Sequence, residues 1–85
     1  MIDFDPAKDE INRRKHGISL ARAIEIDLGT AVIRIDDRRD HGEPRWRAYA
    51  MLEAKLHMLA FTLRHGGVRV ISLRRANARE TKRYG

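Results

Sequence analysis

Between residues 45 and 75, apolar and polar side chains alternate through three runs broken by two short turns, and no other pattern in the chain constrains the fold as much. Successive side chains of a strand point to opposite faces, so each run offers one face to a core and one to solvent. Residues 45–52 put Trp46, Ala48, Ala50 and Leu52 on one face and Arg45, Arg47, Tyr49 and Met51 on the other. Glu53-Ala54-Lys55 turns the chain, and residues 56–64 return with Leu59, Phe61 and Leu63 opposite Met58, Ala60, Thr62 and Arg64. His65-Gly66-Gly67 signals a tight hairpin, and residues 68–75 form the last strand. Turns this short join antiparallel neighbours, so the three runs make a meander.

Hairpin register decides what each face carries, because a slip of one residue moves every side chain to the other side. A two-residue Gly66-Gly67 loop pairs Arg64 with Arg69, and a three-residue loop pairs Arg64 with Val68. The second is expected. It separates a polar face with Thr62, Arg64, Ser72 and Arg74 from an apolar one with Leu59, Phe61, Ile71 and Leu73.

Ahead of the meander, Ile2 and Phe4 alternate with Asp3 and Asp5, giving a short first strand. Asp5 is a helix N-cap with Pro6 at the first helical position. The helix runs to His16, acids early and bases late as the helix dipole favours, and Gly17 ends it. Its apolar face is only Ala7 and Ile11. Ser19 caps a second helix over residues 20–28, with Leu20, Ala23, Ile24 and Leu28 on one face. A strand competes there, since Ile24, Ile26 and Leu28 alternate with acids. Residues 30–36 read as a strand with Ala31, Ile33 and Ile35 inward and Arg34 outward, and residues 37–44 as a charged loop. Residues 76–84 lack Gly, Pro and any β-branched run and read as a helix. The class is α+β, in the order β-α-α-β-β-β-β-α.

Eighty-five residues make one domain with little core to spare. No cysteine is present to add disulfides or thiolate metal sites. No apolar run approaches the roughly 18 residues of a membrane span, and residues 1–5 lack a signal-peptide pattern. A soluble, cytoplasmic protein is expected. Charge is split along the chain: residues 1–44 carry −2 and residues 45–85 carry +8, and 14 of the 18 basic residues are Arg. Residues 74–85 alone carry +4, with Glu80 and Tyr84 one helical turn apart. Arginine's planar fork suits phosphates, so a polyanion such as nucleic acid, or an acidic protein, is the expected partner. Asp36, Asp40, His41 and Glu43 share no recurring ligand spacing and are interleaved with arginines, so no metal and no cofactor is expected.

Several spaced residues match a known family. The series Phe4-Asp5, Lys8, Asn12, Lys15-His16-Gly17-Ile18-Ser19 and Ala23 resembles the opening of BrnT-type toxins of bacterial type II toxin–antitoxin pairs. His41, Gly42-Glu43 and Arg45 resemble their central segment, and Val70-Ile71-Ser72-Leu73-Arg74-Arg75-Ala76, Glu80 and Tyr84 their closing motif. Phe4 stands where Trp is usual, Leu73 where a small residue is usual and Ala50 where Gly is expected, none of which removes a polar group. The resemblance implies a RelE-like fold with two N-terminal helices and a C-terminal helix around an antiparallel sheet. It further implies a translation-blocking ribonuclease, held silent by a cognate, dimeric, DNA-binding antitoxin.

Metal-independent RNA cleavage needs a base for the 2′-hydroxyl proton, cations for the phosphorane and an acid for the leaving 5′-oxygen. Arg64 and Arg74 are candidates for the cations, and His41, Glu80 and Tyr84 for proton transfer. Lys15, His16, Arg45, Arg75, Arg79, Lys82 and Arg83 are candidates for binding RNA. Each has an ordinary alternative: His41 as a solvated loop histidine, Glu80 paired along its helix with Arg79 or Arg83, Tyr84 as packing, and Lys15-His16 as dipole partners. His57 and His65 read as structural or incidental; Trp46 and Tyr49 could stack on bases, but Trp46 shares an apolar face and reads as core. A non-catalytic nucleic-acid-binding module and a protein-binding subunit compete with the ribonuclease on composition alone.

Overall fold

The alternation over residues 45–75 builds the middle of a sheet that further elements extend on both sides. The computed structural model describes residues 2–36 and 42–85. Among these, β1 (Ile2–Phe4), α1 (Pro6–His16), a 3-10 helix (Leu20–Glu25), β2 (Val32–Asp36), β3 (Arg45–Leu52), β4 (Lys55–Arg64), β5 (Gly67–Arg75) and α2 (Ala78–Tyr84) follow in order. The strands form one sheet in the order β1-β5-β4-β3-β2. The α+β class stands, with three corrections to its detail.

First, the sheet is mixed, because β1 lies parallel to β5, with Ile2, Asp3 and Phe4 opposite Val68, Arg69 and Val70. Parallel neighbours need a long connection, and here it is the whole intervening chain. Second, only one N-terminal helix is α. The segment after Ser19 is a 3-10 helix, whose three residues per turn eclipse positions i and i+3. Leu20, Ala23 and Ile26 accordingly form the buried row, while Ile24, expected inside, is 76% exposed. Third, β2 is an edge strand. Ile33 and Ile35 share the face of Ala48 and Trp46 but remain 41% and 58% exposed.

Helix α1 does not attach through Ala7 and Ile11, both of which are exposed. Its buried residue is Asn12. The Asn12 side chain donates to the carbonyls of Leu73 (2.7 Å) and Ile18 (2.9 Å) and accepts from the N–H of Leu73 (3.1 Å). β1 pairs with β5 only as far as Val70, so Asn12 satisfies the edge of β5 where the neighbouring strand has ended. Asp9 accepts from the Ser19 hydroxyl (2.9 Å) and the Leu20 N–H (2.6 Å), tying α1 to the 3-10 helix.

Both hairpins use two-residue turns with positive φ at each central residue: Glu53 (53°) and Ala54 (61°), then His65 (50°) and Gly66 (78°). Such turns match the twist of the strands they join. Arg64 therefore pairs with Gly67, which neither sequence register anticipates. A bulge then leaves Ile71 unpaired, and beyond it Ala60 meets Ser72, Leu59 meets Leu73 and Met58 meets Arg74. That is the register of the expected three-residue loop. The shorter turn removes one residue and the bulge absorbs it. The core lies between this sheet and the 3-10 helix, with Leu20, Leu59, Val70 and Leu73 fully buried.

Candidate nucleic-acid interface

The face away from the core is made by the alternate residues of the same strands. Arg34 pairs with Arg47, Arg47 with Ala60, and Ala60 with Ser72. One row along, Asp36 pairs with Arg45, and Thr62 with Arg69, which bridges to Asp3 (3.1 Å). In the third row Val32, Tyr49, Met58 and Arg74 follow one another. Period two thus brings Arg34, Arg45, Arg47, Arg69 and Arg74 onto one face, floored by the small side chains of Ala60 and Ser72. Among the described residues, the Nε atoms of Arg45 and Arg47 are buried without a hydrogen-bond partner.

α2 closes one end of this face. Tyr84 stacks on Tyr49, with ring centroids 4.1 Å apart, over a small cluster with Leu56 and Met58. Arg34 and Arg83 lie over the Tyr84 ring at 5.8 and 5.4 Å, within cation–π range. Asn77 and Glu80 form a capping box, each side chain bonding the other's backbone N–H. Glu80 is also gripped by the Arg74 fork, Nη1 to Oε1 at 2.8 Å and Nη2 to Oε2 at 3.0 Å. The Tyr49 hydroxyl donates to Glu80 Oε2 (3.1 Å) and accepts from Arg47 Nη1 (3.2 Å). Arg74 foremost, with the Asn77 N–H and the Tyr49 hydroxyl, holds the Glu80 carboxyl down at about 2. Burial, reinforced by the Glu80 charge, pushes the Tyr49 phenol up.

Arg74 also lines a groove on the other side, between α1 and β5. This cavity of about 380 Å³ is walled by Lys8, Lys15 and His16 of α1 and by Ile71, Ser72 and Arg74 of β5. Burial, then the charges of Lys15 and Arg74, hold the His16 imidazole below its usual range.

The structure thus joins Arg74 to Glu80 and, through α2, to Tyr84, and sets Lys15 and His16 across the groove from Arg74. Arg64 is placed elsewhere. Arg74 pairs with Met58, six residues along β4 from Arg64, so about 20 Å separates the two arginines at ~3.3 Å per residue. Arg64 instead bridges to Glu43 at 2.7 Å at the tip of the hairpin, and one phosphate cannot span both. Arg45 lies on the basic face. Arg75 points the opposite way, level with His57. Arg79, Lys82 and Arg83 are exposed on α2. His41 lies outside the described residues, as does Asp40 of the loop set considered for a metal. Among the described residues no three His, Asp or Glu side chains converge as metal ligands, and no helix is long and apolar enough to cross a membrane.

Sequence reasoning placed Arg47 and Tyr49 on the face of Arg45, giving Arg47 no role and Tyr49 only that of a ring able to stack on bases. It also treated His16 as a binding residue apart from Arg74. Alternation was the available signal for the first pair; for His16 there was none, because its proximity to Arg74 depends on how α1 crosses the sheet edge. Residues 4–80 match the family described as ribonuclease toxin, BrnT, of type II toxin–antitoxin systems. No curated protein matches the chain.

Proposed function

The chain belongs to the BrnT family of ribonuclease toxins of type II toxin–antitoxin systems, and from that membership we propose a RelE-like endoribonuclease that cuts RNA without a metal ion and stops translation. The observation that carries the reading is the arginine face, on which the sheet register gathers Arg34, Arg45, Arg47, Arg69 and Arg74. Guanidinium groups gathered on one face suit the phosphates of an RNA strand, each fork matching the oxygens of a phosphodiester. The 2′-oxygen attacks phosphorus, the P–O5′ bond breaks, and the products are a 2′,3′-cyclic phosphate and a free 5′-hydroxyl. Arginine charge around the phosphate lowers the energy of the phosphorane.

Glu80, ionised down to about pH 2, has no proton to give near neutrality and is a weak base there. Its role is to orient Arg74 and Tyr49. Tyr84 holds α2 against Tyr49 and offers a flat ring at the edge of the basic face. A DNA-binding, dimeric antitoxin of acidic or amphipathic character silences the enzyme by covering this face and α2.

One observation favours a second reading, a basic module that binds RNA without cutting it: both Arg74 terminal nitrogens are engaged by Glu80. The two readings separate in one experiment. Purified protein is incubated with single-stranded RNA in the presence of a chelator, and the product ends are analysed. The ribonuclease reading expects cyclic-phosphate ends, growth arrest on expression without antitoxin, and a cleavage loss of about 10²–10³ in Arg74→Ala. Intact RNA at saturating binding overturns it in favour of the module.

A further inference from the structure

His16 ends α1, and the next residue fixes its position: Gly17 adopts the left-handed conformation (φ 72°) and its N–H closes the helix on the Arg13 carbonyl at 2.9 Å. The imidazole is half-buried and opens into the α1–β5 groove, where Lys8 and Lys15 from α1 and Arg74 from β5 supply three cations and Ser72 a hydroxyl. Such a groove fits one phosphodiester, with Arg74 shared between it and the arginine face.

We propose that His16 is the general base of RNA cleavage, taking the 2′-hydroxyl proton of the nucleotide whose phosphate occupies this groove. The inference rests on the ribonuclease reading and names the base within it. The other described histidines are unsuited. His57 is buried with Nδ1 against the Lys55 carbonyl at 2.8 Å, and His65 sits in the hairpin turn next to Arg64, far from Arg74. Glu80 is engaged by Arg74 and Asn77.

A base must be unprotonated at working pH, and the surroundings of His16 favour this. Burial, Lys15 and Arg74 all disfavour the imidazolium. On its far side His16 borders a second cavity, where Lys55, His57 and Arg75 face it and Glu53 is held by Arg22 at 2.8 Å.

In the step itself, the 2′-hydroxyl proton passes to an imidazole nitrogen as the 2′-oxygen bonds to phosphorus. The P–O5′ bond breaks, and the leaving oxygen takes a proton from water. The hydroxide so formed is neutralised when the imidazolium returns its proton, leaving the enzyme unchanged.

The test compares cleavage rate, RNA affinity and thermal stability of the wild type and His16→Gln across pH. A loss of about 10²–10⁴ in cleavage, with affinity within about threefold and stability retained, is expected. The wild-type rate should fall on the acid side as His16 protonates, and the residual His16→Gln rate should lack that limb. Lys15→Gln sharpens the test: removing this charge raises the His16 pKa, so the acid limb moves to higher pH. Should His16→Gln fail to fold, this shift decides, and an unmoved limb overturns the assignment. Wild-type cleavage by a folded His16→Gln, or loss of binding in step with cleavage, overturns it too. An inactive wild type instead sinks the ribonuclease reading from which it starts.

Discussion

Leu59 and Leu73 meet on one side of the sheet; on the other, one position along the same two strands, Met58 meets Arg74. The first pair is sealed under the 3-10 helix with Leu20, Ala23 and Ile26. The second lies beneath α2, which no buried residue of its own holds in place. α2 is anchored by the Tyr49–Tyr84 stack and by the Glu80 carboxylate with its three donors. One face is stabilised by excluding water from hydrocarbon; the other adds ion pairs and hydrogen bonds to a smaller apolar cluster of Tyr49, Leu56 and Met58. A substitution should therefore move stability most on the first face, and ligand binding on the second.

The largest contrast is expected from Leu73→Ala. Leu73 is fully buried, so its truncation should cost about 3–4 kcal/mol from lost transfer and cavity terms. In a domain this small that is much of the total stability, and a urea titration should show the midpoint collapse. A loss under about 1 kcal/mol would mean that the core collapses to fill the space.

Glu80→Gln should have a smaller, pH-dependent effect. Folding lowers the Glu80 pKa from 4.5 to about 2, so its contribution is complete above pH 4.5 and is lost as pH falls toward 2. After discounting for solvent screening, the contribution is about 1–2 kcal/mol near neutrality. The wild-type advantage over Glu80→Gln in chemical denaturation should shrink steadily below pH 4.5. A gap that stays constant down to about pH 2 would remove Glu80 as the anchor of α2.

The smallest stability effect is expected at Arg47, where function should move instead. Arg47→Ala loses the 3.2 Å bond from Nη1 to the Tyr49 hydroxyl but relieves the desolvation of its buried Nε, which has no partner among the described residues, so stability should change by no more than about 1 kcal/mol. RNA affinity should fall, and the log–log salt slope should drop by about 0.7 for one lost phosphate contact. An unchanged slope would take Arg47 out of the interface.

Local rules make the sheet legible in the residues alone. Alternation assigns the faces of β3 and β4, and Asp5, Pro6 and Gly17 bound α1. The failures come where several residues act together. Ile24 is misplaced because Leu20, Ala23 and Ile24 fit an α-helical face as well as Leu20, Ala23 and Ile26 fit a 3-10 row. The register is half right because a sequence does not display a bulge, which trades one residue between turn and strand. At the site, Glu80 and Tyr84 are recognisable from their motif. The grip of Arg74 on Glu80 and the approach of His16 to Arg74 depend on side chains of different elements converging, which periodicity does not encode.

Asn12 grips the backbone of Leu73 across 61 residues of chain, and this orders events during synthesis. α1 is made well before the strand edge it docks on. Until β5 exists, the N-terminal segment has only its short contacts with the 3-10 helix, and the groove between α1 and β5 has one wall. Long-range closures of this kind are slow steps in folding. The proposed site is therefore assembled only after β5 is made, because β5 is the strand that brings Arg74 to His16.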